Sequence, residues 1–120
     1  MTVAAGDVIK VTVTASSKTA GTAVLENVTT GKTVTKTFSN EASLGSLCEY
    51  NAEWIVEDFD ENGSEVTFAD FGTVTFTGAS YVHSGTTSGV SAATIIDIEQ
   101  NKVLTSCSVP SSSEVTCTYV

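Results

Sequence analysis

Side chains able to carry out acid/base chemistry are concentrated in one short segment. Residues 53–61 hold three glutamates and two aspartates around the only tryptophan, Trp54. Period-two alternation predicts a strand with Glu53 and Glu57 on one face and Trp54 on the other, in the core. A pair of neighbouring carboxylates favours acid/base chemistry at low pH, because one member holds its proton more tightly. The residues alone favour a simpler interpretation, a hydrated sheet face with ordinary acids.

Other catalytic and metal-binding patterns are weak. The single histidine, His83, lies among serines, glycines and threonines with no second ligand at a suitable spacing, so we interpret it as a solvated loop residue. No Gly-x-Ser-x-Gly elbow and no glycine-rich phosphate loop occurs. Asp58, Asp60 and Glu61 lack the ligand spacing of a calcium loop. We therefore expect neither a metal nor a cofactor.

Composition limits the class of protein. The chain has 120 residues, no arginine and a formal net charge of −9, and its size suits one domain. An acidic surface without arginine repels phosphate, so we expect no nucleic-acid partner. No run of 18 apolar residues is present, so we expect no membrane span. Twenty threonines and 16 valines, which are β-branched, predict an all-β fold.

The alternation of apolar and polar residues predicts about nine short strands and no helix. Gly31 and the Asn62-Gly63 pair mark hairpin turns. Residues 78–92 are rich in Gly, Ser and Thr and are expected to form a mobile loop. The order of elements predicts an antiparallel sandwich or barrel. The predicted strands are 7–14, 22–29, 33–38, 50–59, 66–71, 73–77, 94–98, 103–109 and 114–120.

The cysteine count is odd. If Val109 faces Val115 in the last hairpin, Cys107 faces Cys117, and directly opposed positions bring the Cβ atoms within disulfide reach. We therefore expect a bridge between Cys107 and Cys117, with two buried free thiols as the alternative. Cys48 has no obvious partner.

Two N-glycosylation sequons begin at Asn27 and Asn62, each near a predicted turn. Such three-residue patterns are frequent by chance in a chain rich in Ser and Thr, so both remain possible sites. No charged-then-apolar leader is present, so we expect any signal peptide to lie outside this sequence.

The segment Asn-Ala-Glu-Trp-Ile-Val-Glu-Asp-Phe, residues 51–59, closely resembles the active-site strand of the fungal glutamic peptidases, the eqolisins. The resemblance continues in 6–13, 24–31, 68–77, 97–100 and 115–120, almost from end to end. It implies a concanavalin-like, antiparallel double-sheet β-sandwich. It also implies a secreted, extracellular endopeptidase that acts on polypeptide substrates at acidic pH.

The resemblance also implies roles for particular residues. The catalytic glutamate of the family falls on Glu57, and Glu53 matches a non-catalytic position. In the family mechanism the glutamate activates the attacking water and then protonates the leaving amine, and a glutamine orients the water and stabilises the oxyanion. The only glutamine here, Gln100, matches a different family position. Cys48 matches a cysteine that is bonded to an upstream segment.

These matches imply that residues 1–120 are the C-terminal part of a single glutamic peptidase domain. We then expect the N-terminal strands of the full fold, and with them the catalytic glutamine, to belong to a missing segment or chain that is the partner of this one. Alone, this chain is expected to be inactive. The alternative is a non-catalytic β-sandwich binding module or an inactive truncated remnant, which explains the absent glutamine without a partner.

Overall fold

Antiparallel strand pairs account for all of the regular sheet structure in the computed structural model, which describes residues 1–120. The predicted all-β class is confirmed. No helix is long and apolar enough to cross a bilayer. A single 3₁₀ turn spans Glu41–Leu44, and the strands are β1 Ile9–Ser17, β2 Ala20–Asn27, β3 Lys32–Phe38, β4 Asp60–Glu61, β5 Ser64–Glu65, β6 Thr73–Thr77, β7 Tyr81–His83, β8 Thr86–Ser88, β9 Thr105–Ser111 and β10 Glu114–Tyr119.

The first of two compact units, Met1–Asn51, contains the three-stranded sheet β1-β2-β3. In its register Val11 pairs with Leu25, and Leu25 pairs with Val34, so apolar residues line one face. That face is open to solvent, since Val11 is 60% and Val13 is 76% exposed. Gly31, at the predicted turn between β2 and β3, has φ +70°, a value that glycine adopts without steric cost.

The second unit, Ala52–Val120, is built around the sheet β6-β10-β9, with the hairpins β4-β5 and β7-β8 beside it. Its core cluster is Ala79, Val90 and Val115, and the half-buried side chains of Trp54, Phe76 and Val109 pack against it. Trp54 therefore contacts the core, as the alternation predicted.

The terminal hairpin β9-β10 carries the expected disulfide. Cys107 pairs with Cys117 in the ladder, their Cα atoms are 4.1 Å apart, and the two sulfurs are bonded. In the chain-entropy model, closing so short a loop contributes about 3 kcal/mol. A bulge shifts the register between Glu114 and Thr116, so the expected Val109–Val115 pair does not form in the ladder.

Three predicted strands are wrong, namely 50–59, 66–71 and 94–98, because these segments find no continuous hydrogen-bonded neighbour in the chain. The alternation nevertheless persists in the first of them. Trp54, Val56 and Asp58 are half-buried, whereas Glu53 and Glu57 are exposed.

The prediction of a mobile loop at 78–92 is also wrong. The segment forms the β7-β8 hairpin and contributes two buried residues, Ala79 and Val90. The backbone N–H of Ala79 donates to the carbonyl of Ser113 at 2.9 Å, and that of Val90 donates to the carbonyl of Ser112 at 2.8 Å. His83 therefore ends a strand, on an exposed position, rather than lying in an irregular loop.

Gly89 gives a test of this packing. Its Cα lies so close to the Ser112 carbonyl that an added Cβ would overlap the oxygen. Gly89→Ala is expected to lower the free energy of unfolding by about 1–3 kcal/mol, because the segment must move off the hairpin turn. Urea denaturation measures the change, and Ser91→Ala, at an exposed position nearby, is the matched control. Equal midpoints for the two variants would contradict the contact.

Candidate active site

Glu57 lies on an extended stretch, residues 52–59, that has no ladder partner within the chain. We call this stretch the Glu57 segment. Two side chains hold it from the side opposite to Glu57. Trp54 packs against the core cluster, and Asp58 accepts a hydrogen bond from Gln100. Glu57 itself is exposed, so its carboxylate is available to a reactant from solution.

The chain turns back directly after the Glu57 segment. Asn62 and Gly63 have φ +53° and +78°, the pair of positive values typical of a type I′ hairpin turn, and β4 and β5 flank them. The backbone N–H of Val66 donates to the carbonyl of Phe59 at 3.1 Å and extends the pairing. The predicted Asn-Gly turn thus forms and fixes where the chain goes after Glu57.

Gln100 closes the base of this hairpin. Its Nε2 donates to Asp58 Oδ1 at 2.9 Å and to the Val66 carbonyl at 3.3 Å. A carboxylate and a carbonyl are both acceptors, so they require the nitrogen of the amide at this position. Sequence reasoning missed this role, because no local pattern connects residues 42 positions apart.

The expected pair of carboxylates does not form. Glu53 and Glu57 lie on the same face of the extended chain, but four residues separate them, a distance of about 13 Å. Proton sharing requires close contact, which this separation does not allow.

A shallow acidic depression beside the Glu57 segment is lined by Asp58, Phe59, Asp60 and Glu65. It does not include Glu57. No group of three or more His, Cys, Asp or Glu side chains is placed to hold a metal ion. Cys48, in the first unit, is exposed and has no disulfide partner in the chain.

Comparison with known proteins identifies the family of the chain. The model of the peptidase A4 family matches residues 1–119. The chain belongs to this family, the eqolisins or glutamic peptidases, and the resemblance stated from the sequence is confirmed.

Two fungal relatives match the whole of this chain. Aspergillopepsin-2 of Aspergillus niger is 57% identical over 121 residues, and scytalidopepsin B of Scytalidium lignicola is 46% identical over 128. The chain covers 42% of the first relative and 48% of the second, so it spans less than half of their length.

Solved structures agree with these matches. The crystal structure of aspergilloglutamic peptidase from Aspergillus niger superposes with a TM-score of 0.94 at 57% identity, covering 100% of this chain and 70% of that one. Scytalido-glutamic peptidase with a peptide-based transition-state analogue gives 0.89 at 47% identity, covering 100% and 62%. The likeness supports the β-sandwich fold class expected from the sequence.

The two sequons differ in structure. Asn27 is 0% exposed, its Nδ2 donates to Asp7 Oδ2 at 2.7 Å, and its Oδ1 accepts from the Thr30 N–H at 3.0 Å. A glycan replaces one hydrogen of Nδ2 and would have to enter a filled space, because Asn27 has no exposed surface. Asn62 is exposed at the tip of the β4-β5 hairpin.

We therefore propose Asn62 as the sequon open to a glycan. When the protein is expressed in a glycosylating fungal host, peptide mapping is expected to find a glycan on Asn62 and none on Asn27. Asn62→Gln should remove all N-linked sugar. Asn27→Gln is the comparison variant and should keep it. A glycan mapped to Asn27 would contradict the burial of this side chain.

Proposed function

We propose that this chain contributes the glutamate of an acid endopeptidase, with Glu57 as the general acid/base in the hydrolysis of polypeptides. Membership of the glutamic peptidase family supports the reaction class. The single observation that carries the role of Glu57 is its position, an exposed carboxylate on a segment fixed from its opposite face by Trp54 and Asp58.

The chemistry needs one carboxyl group in two protonation states. As a carboxylate, Glu57 takes a proton from water while the water oxygen attacks the peptide carbonyl, which gives a tetrahedral intermediate. The carboxylic acid so formed then donates the same proton to the leaving nitrogen as the C–N bond breaks. Glutamate carboxyls in general titrate in the acid range, which suits this exchange to low pH.

The oxyanion needs a neutral donor, and Gln100 is engaged elsewhere because its amide nitrogen donates to Asp58 and Val66. We propose that the catalytic amide comes from an N-terminal segment outside this chain. The relatives' greater length supports this, as does the absence of a ladder partner for the Glu57 segment. We propose that Cys48, which is exposed and has no disulfide partner in the chain, bonds that segment, and disulfide chemistry suits a secreted protein.

Glu57→Gln tests the assignment. The assay uses the enzyme assembled from this chain and the N-terminal segment of a relative. The rate of peptide hydrolysis by the variant at acid pH is expected to fall by about a thousandfold or more, because an amide cannot accept the proton of water. Glu53→Gln, on the same face, is the matched control and should retain activity. Cleavage of a polypeptide substrate followed by mass spectrometry measures both.

Three outcomes distinguish the alternatives. Loss of peptide hydrolysis in Glu57→Gln but not in Glu53→Gln supports the proposal. Full activity of Glu57→Gln would show that the general base lies elsewhere. An assembled parent protein that cleaves nothing would favour a non-catalytic β-sandwich binding module or an inactive remnant.

A further inference from the structure

We infer that Gln100 is a positioning residue for catalysis, which holds Glu57 in place through Asp58. The inference rests on the proposed role of Glu57 and extends it to a residue that never touches the substrate. Its basis is the hydrogen bond between Gln100 Nε2 and Asp58 Oδ1, 2.9 Å long, formed by the residue that directly follows Glu57.

Within this chain, side-chain contacts hold the Glu57 segment on both sides of Glu57. A strand inside a sheet is fixed by backbone hydrogen bonds on both sides, but residues 52–59 have no such ladder in the chain. Trp54 fixes the segment three residues before Glu57, by packing in the core. Asp58 is the first residue after Glu57 that is fixed, and Gln100 is the group that holds it.

Gln100 holds both arms of the following hairpin. Asp58 lies at the start of the outgoing arm, and Val66, whose carbonyl also accepts from Nε2, lies at the end of the returning arm. One neutral amide thus joins the two arms at their base. Loss of the amide would leave the Val66–Phe59 backbone hydrogen bond at the base of the hairpin but would release Asp58, the residue next to Glu57.

Gln100 is itself fixed to the sheet. Its backbone N–H donates to the Lys102 carbonyl at 3.0 Å, inside a turn closed by the Glu99–Val103 bridge. The next residue, Leu104, is buried, its N–H donates to the carbonyl of Ile98, and its own carbonyl accepts from the N–H of Val120. The position of Asp58 is therefore set by the body of the second unit, not by the hairpin alone.

A neutral amide suits this position in an enzyme that works in acid. It donates to Asp58 at every pH, whereas a carboxyl at the same place donates only while it is protonated. Gln100→Glu therefore makes the contact depend on pH. Below about pH 4 the introduced acid is protonated and can donate to Asp58, and above about pH 4 it has no hydrogen to donate, so the contact is lost.

The test measures kcat and KM from about pH 2.5 to 5 in the assembled enzyme. Gln100→Glu is expected to keep kcat within about threefold of the parent's near pH 2.5. Near pH 5 its kcat should fall by about tenfold or more, because a small displacement of a catalytic group is costly. KM should change by less than about threefold, since Gln100 does not contact substrate. Asn101→Asp adds the same charge to the exposed neighbouring residue and should keep the parent's profile.

A reversed pair keeps the inference open to contradiction even if Gln100→Glu fails to fold. The double variant Asp58→Asn with Gln100→Glu exchanges donor and acceptor, so the 58–100 bond can form again. It should recover most of the parent kcat near pH 5. A folded double variant that remains inactive there would overturn the inference.

The remaining outcomes separate this inference from the proposed function. If Glu57→Gln is inactive and Gln100→Glu has the parent's kcat at every pH, Gln100 has no positioning role and Glu57 keeps its assignment. If Glu57→Gln is active, the proposed function fails, and the inference fails with it.

Discussion

The hydrogen bond between Gln100 and Asp58 is the interaction on which the geometry of the candidate site depends. Glu57 occupies an extended segment that forms no ladder within this chain, so the contacts of the residues on either side of it hold it in place here. Trp54 supplies one fixed point through packing, and Asp58 supplies the other through a 2.9 Å contact. Between these points, the alternation of an extended chain turns Glu57 outward.

The rest of the second unit makes these fixed points rigid. Val115 of β10 and Val90 of the 78–92 segment form the surface against which Trp54 packs. The Cys107–Cys117 disulfide joins β9 to β10, and the contact between Gly89 and Ser112 brings Val90 into the core. On the other side, the turn that carries Gln100 leads directly into β9. Both Trp54 and Asp58 are thus held, directly or through the Gln100 turn, by the same β9-β10 hairpin.

Much of the fold was predictable because its signals are local. β6 has the predicted bounds, and β1, β2, β3 and β10 lie within a few residues of theirs, since period-two alternation and Gly turns report on each strand separately. The disulfide followed from the register near Cys107 and Cys117. The register shift next to Glu114 was not visible, because a bulge depends on how the neighbouring segments pack.

The site was predictable only in part. Glu57 was singled out by resemblance to a family, while alternation alone favoured an ordinary hydrated face. The strand assigned to 50–59 failed because alternation reports which side is buried and not whether a neighbouring strand exists. The role of Gln100 depends on a contact across 42 residues, which no pattern in a single sequence contains.

Shortening the proposed general base tests most directly the claim that its position matters. Glu57→Asp keeps a carboxyl group but withdraws it by one methylene, about 1.5 Å. In the assembled enzyme, kcat for a peptide substrate should fall by about a hundredfold with KM nearly unchanged. A kcat equal to the parent's would contradict both the identity of Glu57 as the reacting group and the need to hold it in place.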